Sequence, residues 1–189
     1  MKTGDTNKQQ ILFIQGGGNG GYEADAKLAT SLQAVLGAAY EVRYPRMRTD
    51  EALPDFGWGQ QIDEEMAAVE GEVILVGHSL GASVLLKLLS ESDGNRHIAG
   101  IFLIATPFWG GDKNWQYEGL TLQADFGDKL PKGIPLFLYQ CRDDEEVPVA
   151  HLALYAQALR QATIRELAGG GHQLGNDLTP VAEDIKSLR

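Results

Sequence analysis

Five residues, Gly77-His78-Ser79-Leu80-Gly81, carry the first sign of chemistry in this chain. They fit Gly-x-Ser-x-Gly, a pattern that seats a serine on a sharp strand-to-helix turn. Such a turn strains the backbone, and its neighbours must be small so that nothing crowds the hydroxyl. Gly77 and Gly81 meet that need. The flanks agree. Val73-Ile74-Leu75-Val76 is an apolar run suited to a buried strand, and Leu80 to Ser90 reads as a helix. A helix starting behind Ser79 aims free N–H groups and a positive dipole end at the hydroxyl, where negative charge develops in acyl transfer.

A lone serine hydroxyl is a poor nucleophile at neutral pH. It needs a general base within hydrogen-bond reach, and the base needs an orienting group. The chain holds 4 histidines. His78 lies inside the motif, where adjacent residues leave the turn in different directions, so packing or an outer contact is expected. His97 falls in a polar turn at the amino end of a strand, the wrong edge of a sheet. His151 falls in the first turn of a helix, as a surface or capping position. His172 follows a strand and the run Gly169-Gly170-Gly171, on the carboxyl edge it shares with Ser79, and is the expected base. The orienting acid is expected from another carboxyl-edge loop, Arg142-Asp143-Asp144-Glu145-Glu146-Val147-Pro148, whose remaining carboxylates read as a solvated turn. A tetrahedral intermediate also needs donors for its oxyanion. The backbone N–H of Leu80 is one. Gly16-Gly17-Gly18 lets a second N–H approach without side-chain obstruction, and Gly17 is the residue expected to supply it.

The same glycines have a rival reading. Gly16, Gly18 and Gly21 fit the dinucleotide fingerprint G-x-G-x-x-G. That fingerprint needs a ribose-binding acid at the end of the next strand. Glu41 sits near the start of that strand, and Tyr44-Pro45 occupies its end. The rival also leaves Ser79 and His172 without a role. No Gly-Lys-Ser/Thr follows, so a P-loop is excluded. No metal-ligand spacing of His, Cys and carboxylates occurs. Neither a cofactor nor a metal is expected.

These residues must be positioned by regular elements. Apolar runs predict strands at 11–14, 40–44, 73–76, 98–104, 134–140 and 162–167. Apolar periodicity predicts helices at 24–36, 60–70, 80–90, 149–160 and 180–188, and 92–96 reads as a polar turn. Strands alternating with helices imply an α/β fold: a doubly wound, mostly parallel, six-stranded sheet with helices on both faces. Functional loops of such sheets gather at the carboxyl ends of the strands. Residues 1–10 read as a disordered lead and 11–189 as one domain. Residues 106–132 lack clear periodicity yet are rich in aromatics, which favours a functional loop over disorder. Together with residues 45–59 they are expected to wall a substrate pocket, with Phe56, Trp58, Phe108, Trp109 and Trp115 as apolar lining. Arg46 and Arg48 are expected to be solvated.

Composition narrows the partners. The chain has 189 residues, 43% of them hydrophobic, and a formal net charge of -10 with no cationic run. Phosphate neutralisation needs clustered cations, so nucleic acid is not an expected partner. The apolar run 11–14 is too short for a signal h-region or a membrane span, so no membrane insertion is expected. The 1 cysteine, Cys141, cannot form an internal disulfide and reads as a small packing residue. A reduced, cytoplasmic location is the expectation.

Over residues 11–188 the chain resembles the α/β-hydrolase superfamily. The likeness is carried by Gly77-His78-Ser79-Leu80-Gly81, the glycine loop after the first strand, Asp144-x-x-Val147-Pro148, and Gly171-His172. In size and motif spacing it is similar to the small, cap-less serine hydrolases of the retinoblastoma-binding-protein-9 type. Gln15-Gly16 stands where the superfamily often has His-Gly, and its two leading antiparallel strands have no counterpart before Ile11. The resemblance selects Asp144 over Asp143, because the family acid precedes Val-Pro at this spacing. It implies a serine hydrolase that acts through an acyl-enzyme, with Ser79, His172 and Asp144 as the triad and an acyl-bearing small molecule as substrate; a small carboxylic ester is the bond expected, with an amide, a thioester and acyl transfer to an acceptor other than water left open. The contrasting expectation is a binding or scaffold protein on the same fold, with weak or no turnover.

Overall fold

The structure is a computed structural model and describes residues 8–92 and 97–188. Its elements alternate along the chain: β1 Gln9–Ile14, α1 Gly21–Leu36, β2 Tyr40–Arg43, α2 Trp58–Ala67, β3 Val73–His78, α3 Leu80–Glu91 and β4 Ile98–Ile104. After a long loop come α4 Phe126–Lys129, β5 Leu136–Cys141, α5 Ala150–Ala158, β6 Thr163–Leu167 and α6 Thr179–Lys186. Every expected strand and helix is present, with ends shifted by a few residues. β1 starts at Gln9, so Gln9 and Gln10 belong to the sheet rather than to a disordered lead. Gln10 pairs with Glu41 of β2 and with Val73 of β3, which gives the strand its earlier start. Residues 1–7 and most of the expected 92–96 turn lie outside the described residues.

The 6 strands form one sheet in the order β2-β1-β3-β4-β5-β6, and every pairing is parallel. Side chains alternate across it, as strand geometry requires. Leu12, Ile14, Leu75, Leu103 and Leu138 face one core, closed by α2, α3 and α5. Ile11, Phe13, Ile74, Val76, Phe102 and Tyr139 face the other, closed by α1 and α6. Both faces of the strands are therefore covered, which is why they read as continuous apolar runs. No described helix is long and apolar enough to cross a membrane.

Chain direction across the sheet reverses at β1. β2 lies on one side of it and β3 on the other, so the loops leaving β1 and β3 diverge over a shared crevice. Such a switch point is where open α/β sheets bind ligands.

Candidate active site

Ser79 is the first residue after β3 and directly precedes α3. Its backbone sits at φ 50 and ψ -117, a strained conformation that L-residues rarely adopt. Two bonds hold it there: its N–H donates to the Ile104 carbonyl at 2.8 Å, and its carbonyl accepts from Ser83 N–H at 3.1 Å. The motif glycines follow from the same tightness. A Cβ on Gly77 would lie 2.7 Å from Ala82 Cα, and one on Gly81 only 2.2 Å from the Gln15 carbonyl oxygen. β1, β3 and α3 thus meet with no room for side chains at those positions.

A cleft of about 520 Å³ opens at this end of the sheet, and Ser79, Leu80, Gly16, Gly17 and His172 all line it. The structure therefore brings together four of the residues singled out from sequence, Ser79, Leu80, Gly17 and His172, on one surface. A Cβ on Gly17 would lie 2.6 Å from Leu80 Cδ2, so the backbone of the glycine loop approaches the start of α3 closely.

Asp144 stands behind His172. Nδ1 of His172 lies 3.1 Å from Asp144 Oδ1 and 3.0 Å from Oδ2. The Asp144 side chain is 0% exposed and that of His172 12%. Asp144 Oδ1 accepts from the backbone N–H of Glu146 at 2.9 Å and Val147 at 2.8 Å, and Oδ2 accepts from Gln140 Nε2 at 2.5 Å. Desolvation pushes its carboxyl upward, but the His172 contact and these backbone donors outweigh it and hold the group below the usual carboxylate range. An ionised carboxylate only accepts, so Nδ1 of His172 is the donor in this contact.

The neighbouring carboxylates are exposed, as expected of an acidic turn, but two of them have partners. Asp143 accepts from the backbone N–H of Gly170 and Gly171 at 3.2 and 3.0 Å. Glu145 accepts from the N–H of His172 itself at 3.0 Å. The acidic loop therefore holds the histidine loop at several points. Cys141 is buried beside it, and burial, then the nearby carboxylates, push its thiol up to about 11. It remains a protonated packing residue.

The remaining histidines divide. His97 is exposed, just before β4. His151 is not the surface position its place in the helix suggests: it is 1% exposed. Its Nδ1 accepts from Phe108 N–H at 2.9 Å, and its Nε2 lies 2.9 Å from Asp112 Oδ2. His78 is also buried, with Nδ1 2.8 Å from Asp25 Oδ2 and Nε2 3.0 Å from the His172 carbonyl. Asp25 escaped the sequence reading. Its signal was there, because Asp25, Leu28, Ala29, Leu32 and Leu36 form the buried stripe of α1, and a carboxylate on such a stripe needs a partner.

Of the aromatics expected in a pocket wall, some face the cleft and some do not. Trp109, Trp115 and Phe56 line the cleft. Trp58 does not: it is 1% exposed in the core beneath, its indole donating to Thr49 Oγ1 at 3.2 Å. Phe108 does not either; its ring packs on Tyr155 at 4.8 Å and on Phe126 at 6.4 Å. The two residues are consecutive, so when Trp109 faces the cleft Phe108 turns inward. Trp109 is held by an indole bond to Ser83 Oγ at 3.0 Å and an edge contact with Trp115 at 5.0 Å. Arg46 is exposed and pairs with Glu23, its guanidinium 4.1 Å from the Tyr22 ring centroid. Gln15, standing where the superfamily often has histidine, accepts from Met47 N–H at 3.0 Å, while Asp25 holds the N–H of Gly16 at 2.6 Å. Glu41 is exposed near the start of β2, away from the place a ribose would need.

An all-parallel sheet with a strained serine between its third strand and third helix defines an α/β-hydrolase fold, and solved structures agree. The chain is similar to a serine hydrolase involved in carbazole degradation, CarC, with a TM-score of 0.69 at 14% identity over 96% of this chain and 91% of that one. It is similar to SOBER1 of Arabidopsis thaliana, with a TM-score of 0.67 at 16% identity over 96% and 99%. It is also similar to the esterase domain of a Rhodothermus marinus protein, with a TM-score of 0.65 at 18% identity over 98% and 87%. Among curated proteins no sequence matches it significantly. Residues 25–177 match the family model described as serine hydrolase, and the chain belongs to that family. The match reaches the family as a whole and does not resolve the retinoblastoma-binding-protein-9 type.

Proposed function

We propose that this serine hydrolase cleaves small carboxylic esters through an acyl-enzyme. Ser79 attacks the carbonyl carbon, and His172 takes the hydroxyl proton at Nε2. Asp144 holds the ring in the Nδ1–H tautomer and stabilises it once protonated. The N–H groups of Gly17 and Leu80 receive the oxyanion. His172 then returns its proton to the leaving alkoxide, and a water activated the same way releases the acid. The observation that carries this reading is the buried Asp144 carboxylate on His172 Nδ1, behind a cleft that His172 shares with the strained Ser79. No Lys or Arg occurs among the residues lining that cleft, where Glu146 and Asp25 also stand, and Phe56, Trp109 and Trp115 give it an apolar wall, which disfavours an anionic acyl group. The likeness to a Rhodothermus marinus esterase domain points the same way.

A fluorophosphonate probe and a series of nitrophenyl esters from acetate upward test the proposal together. Folded wild-type protein is expected to label and Ser79→Ala is not. Turnover is expected to depend on acyl length. Equal labelling of both proteins, or a flat profile at the background rate, sinks it.

A further inference from the structure

Asp25 and His78 form a buried pair that the acyl-transfer scheme above leaves unused. Each side chain is 1% exposed. Nε2 of His78 faces the His172 carbonyl at 3.0 Å, and a carbonyl oxygen only accepts, so Nε2 carries a proton. Nδ1 faces Asp25 Oδ2 at 2.8 Å. Asp25 takes two further donors, Gly16 N–H at 2.6 Å and Gln173 Nε2 at 3.1 Å. Desolvation acts to raise its carboxyl, but the His78 contact, aided by these donors, outweighs it and holds the group low. An ionised Asp25 can only accept, so Nδ1 is its donor, and both ring nitrogens of His78 are turned to oxygen acceptors. With both nitrogens committed, His78 has no lone pair to offer Ser79 as a base. Buried ion pairs are costly to assemble and are best attested where they fix one arrangement against others.

What this pair fixes can be read from its partners. Gly16 precedes Gly17. His78 precedes Ser79. His172 and Gln173 are the tip of the histidine loop. The chain leaving β1, the end of β3 and the loop after β6 therefore converge on one carboxylate and one imidazole. The contact is close: a Cβ on Gly16 would lie 3.1 Å from His78 Nδ1 and 3.3 Å from Asp25 Oδ2. The rings of His78 and His172 are 4.8 Å apart.

We propose that the Asp25–His78 ion pair is the positioning unit of the site, setting His172 and Gly17 relative to Ser79 through the His172 carbonyl and the Gly16 N–H. The inference rests on the roles given to those residues under the proposed function. It acts through neighbours, so its loss displaces the reacting groups without removing any of them, and misplacement by about 1 Å costs on the order of 100-fold in rate.

The test uses Asp25→Asn, His78→Gln and the double variant in the full chain, each checked for folding by circular dichroism. For a nitrophenyl ester, kcat is expected to fall about 10–100-fold while KM changes by less than about 3-fold. The double variant is expected to be no worse than the poorer single one, because the two residues act as a unit. Nitrogen-15 NMR of the wild-type imidazoles is expected to find both nitrogens of His78 protonated, and the Nδ1 proton of His172 to shift or vanish in Asp25→Asn. Folded variants with kcat within about 2-fold of wild type overturn the proposal, since a merely structural pair would lower thermal stability and leave kcat alone. A singly protonated His78 in the wild type overturns it too, and decides the matter if the variants do not fold. Failure of the esterase reading looks different: the wild type is inert to ester and probe, while the His78 spectrum and the response of the His172 proton still report on the pair.

Discussion

At the scale of single residues, the carboxylate loop offers the sharpest contrast. Asp144 and Asp143 are adjacent, yet one is buried on the His172 ring and the other caps two exposed backbone N–H groups. Asp144→Asn replaces an obligate acceptor with an amide that can turn its NH₂ toward the ring and select the wrong tautomer. It is expected to lower kcat by about 10³–10⁴-fold. Asp143→Asn keeps one acceptor oxygen and is expected to stay within about 10-fold of wild type, because it touches only the loop that carries His172. Steady-state kinetics on one ester separates the two, and equal losses would remove Asp144 from its proposed role. Glycines divide in the same way. A Cβ on Gly17 meets the end of the flexible Leu80 side chain, whereas one on Gly81 meets a backbone carbonyl at 2.2 Å. Gly17→Ala keeps its backbone N–H but must shift it away from Leu80, so it is expected to fold with kcat reduced by about 10²-fold, the scale of a group misplaced by about 1 Å. Gly81→Ala is expected to cost about 3 kcal/mol in urea denaturation, since β1 or α3 must move. Ser79 and His172 could be singled out because each follows a strand at the same edge of the sheet, whereas only the family resemblance told Asp144 from Asp143. Asp25 stands on the apolar stripe of the first helix, which signals a buried carboxylate, but its partner His78 ends the third strand and no local spacing reveals that pairing.

At the scale of elements, the strands were legible because burial on both faces leaves them almost purely apolar. Their ends were less so: β3 continues through Gly77 and His78, where hydrogen bonding to β1 and β4 extends a strand that composition alone would stop at Val76. The long 106–132 loop was recognised as aromatic, but which aromatics face the cleft could not be told from sequence. That choice is made by tertiary bonds. His151 of α5 accepts from Phe108 N–H and meets Asp112, while Ser83 of α3 takes the Trp109 indole. The loop is thus stapled to two helices, to α5 through Phe108 and Asp112 and to α3 through Trp109. His151→Phe fills a similar volume but leaves the Phe108 N–H and the Asp112 carboxylate without this partner. It is expected to destabilise the protein by about 1–3 kcal/mol. Because Trp109 follows Phe108 directly and the Trp115 ring packs on His151 at 5.8 Å, KM for longer acyl esters is expected to rise more than KM for acetate. Thermal melts and a KM series across acyl lengths check both parts, and an unchanged KM series would mean the tryptophan wall does not contact the acyl chain.

At the scale of the whole molecule, net charge and buried pairs pull in opposite directions on acidification. With a formal charge of -10, protonating surface carboxylates relieves self-repulsion and should stabilise the fold as pH falls. Asp25 and Asp144 oppose this. Each has a carboxyl held below its ordinary value, by His78 and His172 respectively against desolvation. A carboxyl lowered in the folded state binds protons less readily there than in the unfolded chain. Its stabilisation is complete above the unfolded value, about 3.9 for Asp, and is lost as pH falls through the lower folded value. The two buried groups are expected to win, because the exposed charges are screened by solvent and salt while Asp25 and Asp144 are enclosed with several donors each. Stability should therefore hold to about pH 5 and drop steeply below about pH 4. Asp25→Asn removes one of the two groups whose protonation drives that drop. Its melting temperature at neutral pH is expected to be lower than wild type, and its acid slope shallower, so the two curves converge as pH falls. Parallel curves of thermal midpoint against pH would show that Asp25 is not ionised in the native protein, and with it would go the buried charge that ties the glycine loop, the nucleophile turn and the histidine loop together.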